Sequence, residues 1–121
     1  MQHKVLLPLY GSEVAPRFDL ASEAVIVTLD EHNGRLEEKL VVLPQVSAEK
    51  LCHLILTEGV KTVICCGIEE EYYQYLVWKR IEVFDSIVGL WEVALERYMS
   101  LTLSPGDIVS PQTGSESFGE T

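Results

Sequence analysis

"SAEKLCHLILTEGVKTVICCG", residues 47–67, decides the fold, because the spacing of its apolar residues changes partway along it. Ser47 is a natural helix N-cap, and Ala48, Leu51, Cys52 and Ile55 then fall at i, i+3, i+4 and i+7, with Gly59 as the stop. This spacing predicts a helix over 48–58 that buries Ala48, Leu51 and Ile55. From Lys61 the run "KTVICCG" (61–67) is short, apolar and β-branched, the pattern of a strand buried on both faces. A helix feeding such a strand is the second half of a strand-helix-strand crossover, which joins parallel strands.

Working outward, "KVLLPL" (4–9) reads as a first buried strand ended by Tyr10-Gly11, and "YGSEVAPRFDLAS" (10–22) as a long loop without periodicity. "AVIVTLD" (24–30) and "EKLVVLP" (38–44) flank the turn residues Asn33-Gly34 and form an antiparallel hairpin. Downstream, "EEEYYQYLVWKR" (69–80) is a helix, "IEVFDSI" (81–87) a strand and "LWEVALERYMS" (90–100) a last helix with Trp91, Ala94, Leu95 and Tyr98 as its apolar stripe. The order β-β-β-α-β-α-β-α predicts an α/β domain: a five-stranded mixed sheet with one antiparallel strand, flanked by three helices. Residues from 102 onward are rich in Gly, Ser, Thr and Pro and read mostly as tail, so the domain is set at 1–109 and a flexible tail at 110–121.

At 121 residues and 47% hydrophobic content the chain suits one domain with its own core. A net charge of −10 makes nucleic acid and anionic membrane surfaces poor partners, since both need a basic footprint. The opening "MQHKVLLPLYG" lacks the form of a signal peptide, and no run is long enough for a membrane span. Three cysteines, an odd number, fit a reducing cytoplasm better than a disulfide framework, and their spacing is not that of a zinc site.

The loop "GSEVAPRFDLASEAVIV", the helix "SAEKLCHLILTEGVKTVI" and the closing "VGLWEVALERYMSLTL", in this strand order, resemble the dinitrogenase iron-molybdenum cofactor biosynthesis family, which includes NifX-type and NifB carboxy-terminal domains. The resemblance spans residues 3 to 109. It implies a ribonuclease H-like motif fold that binds or carries iron-molybdenum or related metal-sulfur clusters, exchanged with donor and acceptor proteins, without catalysis. Many members carry a histidine followed by Phe-Gly in the first loop, where this chain has Arg17, Phe18 and Asp19. After the fourth strand, where Gly-Gly-Ile-Gly-Pro is common, it has Cys66-Gly67-Ile68-Glu69-Glu70.

Ligands in open α/β sheets bind beyond the carboxyl ends of parallel strands. Tyr10, Gly11, Cys66, Gly67 and Ile68 stand there, and Arg17 can swing over them, so these six are the candidate cluster-binding residues, with Cys66 the candidate metal ligand. A glycine turn entering a helix offers backbone N–H groups to an anion, but Glu69, Glu70 and Glu71 repel one. Each group also has a plain structural reading. Cys65, in step with Val63, is core, and Cys66 points to the other face, where packing and ligation are both open. Cys52 is packing and His53 is solvated, while His32 lies in the hairpin turn and His3 at the chain start. Arg17 pairs with Glu13 or Asp19, or meets an anion. Tyr75 and Trp78 are either tucked against a loop or form a partner or self-association surface.

Two functions follow from different classes: a small non-catalytic cluster carrier or scaffold, and an interaction or regulatory module that keeps the fold without the cargo. A ribonuclease H-like nuclease is disfavoured, since "KVLLPL" carries no aspartate for a divalent metal.

Overall fold

A computed structural model describes residues 2–109. Its main sheet is built from β1 (Gln2–Tyr10), β3 (Glu23–Asp30), β4 (Gly34–Val42), β5 (Val60–Ile64) and β6 (Glu82–Phe84), in the spatial order β4-β3-β1-β5-β6. β3 runs antiparallel to both β1 and β4, whereas β5 is parallel to β1 and β6 is parallel to β5, so β3 is the one reversed strand of the five. That is the arrangement expected from the crossover.

Three helices cover the sheet: α1 (Ala48–Thr57), α2 (Glu70–Trp78) and α3 (Trp91–Met99). The strands split their side chains by parity. Leu6, Ala24, Ile26, Val63 and Cys65 face α1 and α2, and pack with Leu51, Ile55 and Leu76. Val5, Leu7, Val25, Val27 and Ile64 face α3, and pack with Ala94 and Leu95. Ser47 caps α1 as its sequence position implies, its hydroxyl accepting from the Lys50 N–H at 3.2 Å.

Several boundaries differ from expectation. β4 begins at Gly34 rather than 38, and Leu36 is left without a partner where the register with β3 shifts, a bulge on an edge strand. β5 stops at Ile64, leaving Cys65, Cys66 and Gly67 beyond it. β6 ends at Phe84, because Ser86 takes φ +61° and turns the chain. Three two-residue strands were not anticipated: β2 (Glu13–Val14) on β1, and β7 (Val88–Gly89), which pairs in parallel with β8 (Ile108–Val109). The stretch 102–109, read mostly as tail, is thus packed, with Leu103 and Val109 buried in the α3-side core. Residues 110–121, assigned to the tail, lie outside the described residues.

A candidate site at the carboxyl ends of the parallel strands

β1 ends at Tyr10, and Gly11, at φ +62°, permits the tight turn that returns β2 along β1, with Leu9 opposite Val14 and Tyr10 opposite Glu13. Beyond it, Val14, Ala15, Phe18 and Ala21 are all buried and draw the segment across the end of the sheet. The Ala15 N–H donates to the Pro8 carbonyl at 2.8 Å. The Gly67 N–H then donates to Pro16 O at 2.9 Å, and Phe18 N–H donates to Gly67 O at 2.7 Å. A single-turn 3₁₀ segment, Phe18–Leu20, follows. The stretch 10–22 is therefore a short hairpin and a clasp rather than an open loop. Its signal in the sequence is a set of apolar anchors with no helical or strand period.

The six candidate residues are not one constellation. Arg17 and Gly67 are bridged through the backbone. Arg17 lies beside Asp19, donating from Nε at 3.0 Å and from a terminal nitrogen at 2.7 Å. These hydrogen bonds hold the Asp19 carboxyl below the usual range and push the Arg17 guanidinium up, with Glu69 adding to the latter. Of the readings open for Arg17, the pairing with Asp19 is the one present. Tyr10 is 74% exposed on the hairpin turn, beside Gly11. Cys66 packs against the α3-side core and Ile68 against the opposite one. A cavity of about 250 Å³ lies beside Tyr10 and Arg17, walled by Leu9, Pro16 and Leu20, and neither Cys66 nor Gly67 lines it.

On the other side of Gly67, α2 opens with Glu69 at its N-cap position, without a side-chain cap, and with Glu70 and Glu71 in its first turn. Those charges favour the helix dipole and oppose an anion. Tyr75 is half-buried against the α1 side of the core, while Trp78 is 74% exposed; Lys79 Nζ lies 4.9 Å from the Trp78 ring centroid and 5.7 Å from that of Tyr75. Of the two interface candidates, Trp78 is the one that projects.

The three thiols divide by environment. Cys52 and Cys65 are buried and Cys66 is half-buried. Burial, with Glu49 adding to it, pushes the Cys52 thiol from 9.0 to about 11, and burial pushes Cys65 further up, helped by Asp85. Cys65 is core, as expected from its step with Val63. A colorimetric disulfide reagent at pH 8 is expected to consume one thiol quickly and two only on unfolding, with the fast phase lost in Cys66→Ser. Because folding holds Cys52 and Cys65 neutral, their contribution to stability is complete below pH 9 and declines as pH rises toward 11 and beyond, which thermal melts across that window will register.

As a place for a metal-sulfur cargo, this end supplies one half-buried thiol next to a glycine whose N–H and C=O are both engaged. Among the described residues, no group of three or more His, Cys, Asp or Glu side chains is arranged to hold a metal ion.

Fold and site together define a mixed α/β domain in which the segment after β1 is hydrogen-bonded across the turn that follows β5. No family model matches the chain, and no curated protein matches it. Solved structures do. The crystal structure of PH0822 superposes with a TM-score of 0.76 at 19% identity, over 84% of this chain and 93% of that one. A crystal structure from Methanocaldococcus jannaschii named "a putative dinitrogenase" gives 0.72 at 22% identity, over 92% and 99%. An NMR structure from Thermotoga named "a putative NifB protein", of the DUF35 family, gives 0.64 at 17%, over 91% and 98%. At these identities the likeness establishes the fold, and it agrees with the resemblance drawn from the sequence. No helix among the described residues is long and apolar enough to cross a membrane.

Proposed function

We propose that this chain is a non-catalytic interaction module on the fold shared with those dinitrogenase- and NifB-named proteins, one that meets cluster-handling proteins without itself holding a cluster at the Cys66–Gly67 turn. The observation that carries this reading is the pair of hydrogen bonds by which Pro16 and Phe18 take up the N–H and C=O of Gly67. The Gly67 N–H, so engaged, is not a donor to an anionic cargo. The acids Glu69, Glu70 and Glu71 beside it support the same reading, and exposed Trp78 supplies a side chain of the kind that anchors protein contacts.

The half-buried thiol of Cys66 favours a second reading, in which the chain carries an iron-molybdenum or related cluster through one protein ligand. Anaerobic incubation with iron, molybdate and sulfide, followed by desalting, separates the two. The interaction reading expects no retained chromophore and no difference between the natural chain and Cys66→Ser. A stoichiometric chromophore that Cys66→Ser loses would replace it with the carrier reading. In the same samples, size measurement with a cluster-loaded NifB-type protein is expected to show co-elution that Trp78→Ala removes.

A further inference from the structure

α1 leads into β5 and α2 into β6, two parallel strands, and both helices pack on the same face of the sheet. They therefore run the same way, with their N-terminal ends together. A groove of about 360 Å³ lies between them. Cys52 and Leu56 of α1 and Tyr72 and Tyr75 of α2 line it, Glu49 and Glu71 stand at its N-terminal end, and no lysine or arginine among the described residues lines it. Burial pushes the Tyr72 phenol up, and Glu71 and Glu49 add to the effect, so both carboxylates act on that hydroxyl. Neither makes an ion pair among the described residues.

α2 carries the opposite charge at its other end. Glu71, Tyr75, Trp78 and Lys79 fall at i, i+4, i+7 and i+8, a single stripe along the helix. Lys79 lies over the Tyr75 and Trp78 rings, so its charge belongs to this stripe, and it too makes no ion pair among the described residues. Tyr75 is the midpoint, as far along the chain from Glu71 as from Lys79. A stripe that is acidic at one end, aromatic in the middle and basic at the other is complementary to its own reverse. Turned about a twofold axis at Tyr75, position 79 falls opposite 71 and position 78 opposite 72. The indole of a second copy then meets the groove wall at Tyr72, and its Lys79 meets Glu71.

We propose that this face binds a second copy of the chain, α2 against α2 in antiparallel, with each Trp78 seated in the groove of the other copy. The contact is isologous, so each interaction is made twice and the assembly closes at a dimer. It covers an indole that is 74% exposed in the single chain and joins charges that the single chain leaves unpaired. The inference rests on the reading of Trp78 as an interface residue, and it names the partner that this face takes when the chain is alone.

Sedimentation of the full chain tests it, at about 0.15 M salt, where a Debye length of about 8 Å screens the overall charge of −10 but not contacts at closer range. A reversible monomer–dimer equilibrium is expected below about 1 mM protein, weakened about thirtyfold by Trp78→Ala, the effect of a hot-spot residue. Glu71→Lys and Lys79→Glu are each expected to weaken it about tenfold, because each sets like charges at both symmetric contacts. An equal mixture of the two variants is expected to regain the natural strength, since every facing pair is again of opposite sign. All three side chains are exposed, so the variants keep the fold, which thermal melts verify. A chain that stays monomeric over the whole range, or a mixture no stronger than its parts, would overturn the dimer. A monomeric chain that still co-elutes with the NifB-type protein overturns the dimer and leaves the proposed function standing, whereas a dimer that does not co-elute supports this inference and counts against that function.

Discussion

Phe18→Ala is expected to lower the unfolding free energy by about 3–5 kcal/mol, the cost of deleting a buried aromatic side chain, against the roughly 5–15 kcal/mol available to a domain. Phe18 is 1% exposed and belongs to the α1- and α2-side core, with the Tyr72 ring 6.5 Å away, centroid to centroid. It is the largest anchor of a segment that has little regular structure of its own. Removing it leaves a cavity under α1 and also frees the segment that clasps Gly67. Urea unfolding of the variant measures the first effect. Amide exchange measures the second: the Gly67 and Phe18 amides, which donate across the clasp, are expected to lose protection before those of β1 and β5. Loss of less than about 1 kcal/mol would mean that the side chain is not packed as described.

The second large effect belongs to Gly67→Ala. A Cβ built on Gly67 meets the Pro16 carbonyl oxygen at 2.8 Å, and the obstacle is backbone rather than a side chain that could swing away. Glycine is required here for close approach of two chain segments. The substitution is expected to cost about 1–3 kcal/mol, the range for overpacking, and to lengthen or break the Gly67 N–H to Pro16 bond. With the clasp loosened, Cys66 is expected to react faster with a thiol reagent than in the natural chain, while Cys52 and Cys65 stay slow. An unchanged Cys66 rate would show that the clasp does not shield this turn. Phe18→Ala and Gly67→Ala act on one contact and are expected to be less than additive, which a double-mutant cycle reads directly.

Much of the architecture was legible because one-dimensional pattern has a one-dimensional cause. The period of Ala48, Leu51, Cys52 and Ile55 places α1, and the β-branched run after Lys61 places β5. The hairpin around Asn33-Gly34 makes β3 the reversed strand. Strand alternation likewise separates Cys65 from Cys66, and the core accepts them on opposite faces as that alternation requires. The two-residue strands were not legible, since a bridge of that length leaves no period and depends on what the rest of the fold brings alongside it. The same holds for 102–109, where Leu103 and Val109 are core residues inside a stretch whose composition is that of a tail.

The candidate site shows the division most clearly. Order along the chain is enough to bring Tyr10-Gly11 and Cys66-Gly67 to the same end of the sheet, because parallel strands share their carboxyl ends. Whether the space between them is open is a matter of three-dimensional packing. Phe18 and Ala15 are buried deeply enough to pull Pro16 and Arg17 onto Gly67, and the hydrogen bonds that result occupy the N–H and C=O of Gly67. At the far end, His3 and Tyr98 are 95 residues apart in sequence, and Thr62 and Glu82 come from two further strands. The sequence by itself determined the strand order, the helix faces and the separation of the thiols, since each follows from local spacing. Only the tertiary structure decided that the segment after β1 is clasped to Gly67 and that His3, Thr62, Glu82 and Tyr98 meet at the other end of the sheet, because both outcomes rest on contacts between segments that no local spacing relates.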